Sequence, residues 1–216
     1  MSSPISPRLL KGGIVLIDPD SGTVQRVIVL QYNPDTLTRS FQIKGVGPEG
    51  GDRSEALRLK GPAVESFKMD AEIDATDQLE VDDPNTAQFG IQPQLAALET
   101  MIYPTTSQLQ ANNNLANIGT LEIAPMQTPL ALFVWSRNRT VPVRITELSI
   151  TEEAFDPALN PIRAKISLGL RVLSVDDLGF DQKGSSIYLA YQRQKEQFAS
   201  KAQAAALSAF GIGGIP

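Results

Sequence analysis

At 216 residues, with 42% hydrophobic and 20% charged positions, the chain is long enough for one all-β or α/β domain with a real core, or for two small ones. A net charge of -5 argues against a nucleic-acid binder, and no apolar run approaches the roughly 20 residues of a membrane helix. The chain has no Cys and no His, which removes disulfides, thiol nucleophiles, thiolate metal sites, the commonest general base and the commonest transition-metal ligand.

Residues 1–12 lack the apolar stretch of a secretory signal peptide and are expected to form an N-terminal arm. Residues 13–18, GIVLID, predict a strand, Asp18-Pro19-Asp20-Ser21-Gly22 a turn, and residues 24–32 a second strand, together a hairpin. This apolar run stops at Tyr32-Asn33-Pro34 and resumes through Leu37 and Phe41. Pro34 has a fixed φ and no N–H, and it pushes Asn33 out of the helical region. The spacing therefore predicts a tight reversal and a second hairpin, with a third strand over residues 37–46. Residues 45–52 are glycine-rich but lack the Lys-Ser/Thr ending of a phosphate-binding loop, and read as a plain loop.

In residues 63–74, Phe67, Met69, Ala71 and Ile73 alternate with Lys68, Asp70, Glu72 and Asp74, the pattern of a strand with one wet face. After a loop at Asp82-Asp83-Pro84-Asn85, residues 94–103 place Leu95, Leu98, Met101 and Ile102 at helical spacing, ended by Pro104. The polar stretch from about 104 to 125 reads as a loop insertion. Residues 130–135, LALFVW, predict a central strand. In residues 141–155 the apolar phase slips near Glu147, which predicts a β-bulge. Residues 162–172 alternate Ile162, Ala164, Ile166, Leu168 and Leu170 with Arg163, Lys165, Ser167 and Arg171, a long strand with a charged face. Residues 185–210 are rich in helix formers. Their sparse stripe of Ile187, Tyr191 and Phe198 predicts a helix docked on a partner rather than on its own β domain, within an extension spanning 181–216.

The candidate chemistry is thin. Asp18 to Gly22 resembles the start of a calcium loop, but no acid follows where a bidentate ligand is needed, so it reads as a turn. The pairs Asp82-Asp83, Glu152-Glu153 and Asp176-Asp177 are sequence neighbours whose side chains diverge on a strand, and they read as solvated turn acids. Asn138-Arg139-Thr140 fits a glycosylation sequon without other signs of that route. No enzyme activity, cofactor or metal is expected. Arg163, Lys165 and Arg171 either form a solvated face, line a channel, or meet an acidic neighbour such as the Asp70, Glu72, Asp74 face.

The order of these features resembles a known family. The strand ending in Tyr32-Asn33-Pro34 with Leu37 and Phe41, the strand from Phe67 to Asp74 after Gly61-Pro62, the short helix of residues 95–103, the run from Pro129 to Trp135, and the turn and strand around Asn160-Pro161-Ile162-Arg163-Ala164 are similar to successive blocks of the contractile injection system tube proteins. The resemblance spans roughly residues 12–176. It implies a mainly β fold, an antiparallel barrel or sandwich of tail-tube type over residues 13–180, with one short packed helix followed by a C-terminal helix. It also implies a homo-hexameric ring at the base of the inner tube, touching neighbouring tube, spike-hub and baseplate proteins, within an assembled particle in the bacterial cytoplasm or released from the cell. It implies no contact with nucleic acid and no direct contact with a membrane. Many relatives carry a C-terminal LysM module, and residues 185–210 are too short for one. On this reading Tyr32, Asn33, Pro34, Leu37 and Phe41 form the family hairpin. Lys68, Asp70, Glu72, Asp74, Arg163, Lys165 and Arg171 face the channel or an interface, and Ile187, Tyr191 and Phe198 serve assembly. Two other classes compete: a small-ligand β-barrel carrier, for which 6% aromatic residues is a thin complement, and a carboxylate hydrolase, for which no spaced acid pair shares a face.

Overall fold

The alternating stretches of the sequence become seven strands, β1 (Gly13–Ile17), β2 (Val24–Val29), β3 (Thr38–Gln42), β4 (Val64–Asp74), β5 (Leu130–Ser136), β6 (Arg139–Phe155) and β7 (Pro161–Val172). The computed structural model describes residues 10–45, 58–117, 128–202, 207–212 and 214–215. All the strands pair antiparallel in one sheet, in the order β2-β1-β5-β6-β7-β4-β3. The fold is thus mainly β, as expected. The glycine-rich stretch falls mostly outside the described residues, as does most of the N-terminal arm.

The first hairpin forms as the sequence predicts. The Asp18 carboxylate accepts the Ser21 N–H at 2.7 Å and the Ser21 hydroxyl at 2.9 Å, and Gly22 takes a φ of +72°, so the calcium-like segment closes on itself as a turn. The expected second hairpin does not form. β2 and β3 stand at opposite ends of the strand order and do not pair with each other.

The chain between them instead runs on beside β4. β3 starts with Thr38 opposite Lys68, and seven residues earlier the Gln31 side chain meets Asp74. Gln31 Nε2 donates to the Asp74 carbonyl at 2.7 Å and Gln31 Oε1 accepts the Asp74 N–H at 2.9 Å. A carboxamide carries the same donor and acceptor as a peptide unit, so this pair substitutes for one rung of a ladder. Asn33 ties the corner to β1, its Oδ1 accepting from Gly12 N–H at 2.9 Å and its Nδ2 donating to the Leu10 carbonyl at 2.8 Å. β2 and β3 are two arms of one bent stretch, the first on β1 and the second on β4, and the sheet curls into a barrel-like sandwich. The Asn-Pro signal correctly marked a change of direction. It carries no information about which strand the chain joins next.

Inward side chains form two linked clusters. Phe67, Phe133, Val141, Leu168 and Leu170 fill one half, with the Phe67 and Phe133 rings 5.1 Å apart. Ile91, Leu95 and Leu98 pack on Ala164 and Ile166 in the other half. Leu95 and Leu98 belong to α3 (Gln92–Glu99), the predicted packed helix. β5 is buried on both faces, with Phe133 inside and Leu130 and Leu132 beneath the C-terminal helix, which explains its unbroken apolar run. The predicted bulge is present: the β6–β7 register skips between Ile145 and Glu147. Gly169 lies opposite, where an added Cβ would stand 3.0 Å from the Glu147 Cβ.

The helix content exceeds the single short packed helix expected. Of the stretch read as a loop, Asp82 and Asp83 lie between α1 (Thr76–Glu80) and α2 (Pro84–Phe89), but Pro84 and Asn85 open α2 itself, which Asp83 caps by accepting the Thr86 N–H at 2.8 Å. The expected insertion contains α4 (Thr106–Asn117). Thr105 and Gln108 form a reciprocal capping box there, with Thr105 N–H to Gln108 Oε1 at 2.9 Å and Gln108 N–H to Thr105 Oγ1 at 3.3 Å. α4 buries no residue, so it leaves no apolar periodicity in the sequence. Gly90 turns α2 into α3 at φ +58°, and an added Cβ would meet the Pro161 carbonyl at 2.1 Å.

Gln31→Ala is expected to leave the Asp74 backbone groups unpaired at the seam and to cost about 1–3 kcal/mol in a denaturant titration. A variant as stable as the parent would show that this pair does not close the sheet.

Candidate assembly surface and its anchor

The register brings the predicted acidic and basic faces together. Glu72 lies opposite Lys165, Asp74 opposite Arg163 and Asp70 opposite Ser167, all on the outer side of β4 and β7. β6 extends this face, with Arg144 opposite Arg171, Ser149 opposite Ser167 and Thr151 opposite Lys165. The predicted residues therefore meet acidic partners within the chain. Arg163 pairs with Asp74 at 2.7 Å, Lys165 with Glu153 at 2.8 Å and Arg171 with Asp177 at 2.6 Å. Lys68 reaches Glu147 at 3.5 Å, across the side-chain-free Gly169. Glu153 and Asp177, read as solvated turn acids, are two of these partners. The exposed pairs among these contribute about 0–1 kcal/mol each; Arg171–Asp177 is half-buried. Their effect is to spread both signs over three long strands without a single-sign field. Hydrogen bonds from Thr76, reinforced by Arg163, hold the Asp74 carboxyl below its ordinary range. Asp70 and Glu72 are exposed and make no direct ion pair among the described residues.

Tyr32, Asn33, Pro34, Leu37 and Phe41, expected to share one hairpin, do not act as one unit. Tyr32, Asn33 and Pro34 border the charged face, lining a cavity of about 640 Å³ with Asp70, Glu72 and Lys165. Leu37 packs against the core. Phe41, half exposed on β3, lies beneath two cations, the Arg39 guanidinium at 5.1 Å and the Lys195 ammonium at 5.6 Å.

These cations surround a residue the sequence reading passed over. Glu65 occupies the inward phase of β4, two positions before Phe67, and is 3% exposed. Its Oε1 accepts from Arg39 Nη2 at 2.8 Å and from the Tyr191 hydroxyl at 2.9 Å, and its Oε2 accepts from Lys195 Nζ at 2.7 Å. Burial works to raise the Glu65 pKa, but the hydrogen bonds from Lys195 and Arg39 outweigh it and hold the carboxyl below its ordinary range. Burial, then the Glu65 charge, push Tyr191 up to about 12. The alternation of the strand was the available signal, since Glu65 shares the parity of Phe67, Met69 and Ala71.

The cluster fastens α5 (Lys183–Lys201) to β3 and β4. The expectation that this helix docks on a partner rather than on its own domain is overturned for its first three turns. Tyr188 and Tyr191 are buried in the main core, and Ile187 packs with Ile17, Leu130 and Leu132. Ser185 Oγ donates to the Leu178 carbonyl at 3.1 Å, and Gly184 permits close approach to Leu178 and Leu130. Most of the alanines lie beyond these turns, so an average over the helix understates its inner end. Phe198, past the anchor, is 47% exposed. α5 ends at Lys201, and residues 207–210 form a separate 3-10 turn.

No protein-family model matches the chain, and neither does any curated protein. No described helix is long and apolar enough to cross a membrane.

Truncation after Asp181 is expected to lower stability by more than about 3 kcal/mol, from lost aromatic burial alone. An unchanged melting curve would show that α5 docks weakly in cis. Tyr191 has a folded-state pKa above the ordinary value near 10, so the stability it adds is complete below pH 10 and is lost as pH rises through about 12. Melting curves from pH 9 to 12 should show a larger loss in the parent than in Tyr191→Phe, which keeps only the smaller contribution of Tyr188, also raised by burial. Equal pH profiles for the two proteins would contradict it.

Proposed function

We propose that the chain is a structural subunit of a contractile injection system, forming a ring at the base of the inner tube that joins the spike hub to the tube within the baseplate. The observation that carries this reading is the broad mixed-charge face of β4, β7 and β6, on a barrel-like β domain whose sequence blocks follow the order of the tube proteins. A wall along which a cargo protein passes must be hydrated, without large apolar patches or one dominant sign of charge. The Lys68–Glu147, Asp74–Arg163 and Lys165–Glu153 pairs suit such a wall. β3 offers an open edge carrying exposed Phe41, with exposed Ile43 just past its end, where a neighbouring copy could add its own strand. A second reading, a carrier of an apolar ligand, is favoured by the apolar cavity of about 650 Å³ between β2 and α3.

Native mass spectrometry at micromolar protein separates the two. Six copies support the ring, and a monomer with a co-purifying small molecule supports the carrier. For the wall itself, Lys165→Glu combined with Arg171→Glu should leave the subunit folded, because both side chains are exposed or half-buried. Assembled particles imaged by electron microscopy should then show altered density along the channel. Unchanged channel density in fully assembled particles would mean that this face points elsewhere.

A further inference from the structure

The cavity between β2 and α3 has features that an apolar ligand does not use. It is walled by Ile28, Ala71, Ile73, Leu98, Ile166 and Leu168. One side is the free edge of β2, the last strand in the sheet order. The Leu30 N–H bonds to Gly12, so by the alternation of an antiparallel ladder Ile28 and Arg26 face β1, and Val27 and Val29 turn their N–H and C=O groups to the free edge. Val27 and Val29 are 57% and 56% exposed. Gln78 lines the same cavity, and its Oε1 is shielded from solvent without a hydrogen bond among the described residues. A buried acceptor without a partner is costly and calls for a donor. The rim carries Lys11, with no carboxylate partner among the described residues, and Arg26, bonded to the Thr100 hydroxyl at 2.8 Å, although the whole chain has a net charge of -5.

We infer that this cleft receives an extended peptide segment of another protein, added as a strand to the edge of β2, with apolar side chains inside and an acidic residue at the Lys11–Arg26 rim. Strand addition supplies main-chain bonds to Val27 and Val29, and a peptide N–H or hydroxyl satisfies Gln78. A fatty acid would fill the apolar volume and meet the cations, but it has no donor for Gln78 and leaves the strand edge unpaired. The inference stands independently of the ring.

The test uses the full chain, isotope-labelled, with two probes: laurate, and a synthetic octapeptide of alternating valine and threonine between terminal aspartates. Saturating octapeptide is expected to slow amide exchange at Val27 and Val29 by about tenfold or more. Val29→Pro should abolish that binding while the subunit stays folded, because an edge N–H pointing away from β1 is dispensable to the sheet. Lys11→Glu and Gln78→Leu should each weaken octapeptide binding about tenfold, and they serve if the proline variant does not fold. Three outcomes overturn the inference: laurate binding in the cleft while the octapeptide does not, neither probe binding, or protection of Val27 and Val29 that appears without peptide and grows with protein concentration. The last result would assign the cleft to a second copy of this chain.

Discussion

The pairing of the Gln31 carboxamide with the Asp74 backbone joins the two ends of this seven-stranded sheet at one point, while β2 and β3 keep free edges beyond it. The bend at Asn33-Pro34 lets one stretch of chain serve β1 and then β4, so the curl of the sheet is set by a covalent connection. The inner face is enclosed well enough to bury Phe67, Phe133 and Leu170. The cleft lies beside this junction, lined by residues 26–31 of the bent stretch, by Ala71 and Ile73 of β4 and by Leu98 of α3. Closure and cleft therefore share the same bent stretch of chain.

The helices act at the ends of this curled sheet. α3 covers the half where β7 begins, at Ala164 and Ile166, and α5 covers the half where β7 ends, at Leu170 and Val172. The two attachments differ in kind. α3 is held by apolar packing and by the corner at Gly90, where no other residue fits. α5 adds a buried carboxylate shared by Arg39, Lys195 and Tyr191. Buried ion clusters add little net stability over apolar packing, but they tolerate few alternative arrangements, since a displaced Glu65 would lose every partner. The cluster therefore sets the position of α5 more than it strengthens its docking.

How far the sequence revealed this depends on where the signal is local. Strands with one wet face were legible because period-two alternation depends on neighbours two residues apart, as in β4 and β7, and even the bulge at Glu147 appeared as a slip of phase. The placement of β2 and β3 was not legible, because Asn33-Pro34 marks a bend whose outcome depends on β1 and β4, far away in the chain. α4 was missed because it buries nothing and shows itself only by the Thr105–Gln108 box. Among the site residues, the charged face was correctly placed on the outside, but its pairing required the register. Glu65 was visible as an acid in an apolar phase, yet its three partners come from β3 and α5 and could not be read from β4 alone.

The division of α5 at Lys195 bears on assembly. Up to that residue the helix belongs to the fold, since Tyr188, Tyr191 and Lys195 are engaged with the core and with Glu65. Beyond it, Phe198 projects into solvent with the Lys201 ammonium 5.8 Å from its ring centre. Any contact that α5 makes with a neighbour must therefore use its outer turns. Because the inner turns are pinned, such a contact would be presented in a fixed direction relative to the charged face. A substitution at Phe198 can then alter association without altering the subunit. A substitution at Tyr191 affects the subunit first, and through it everything that depends on where the helix points.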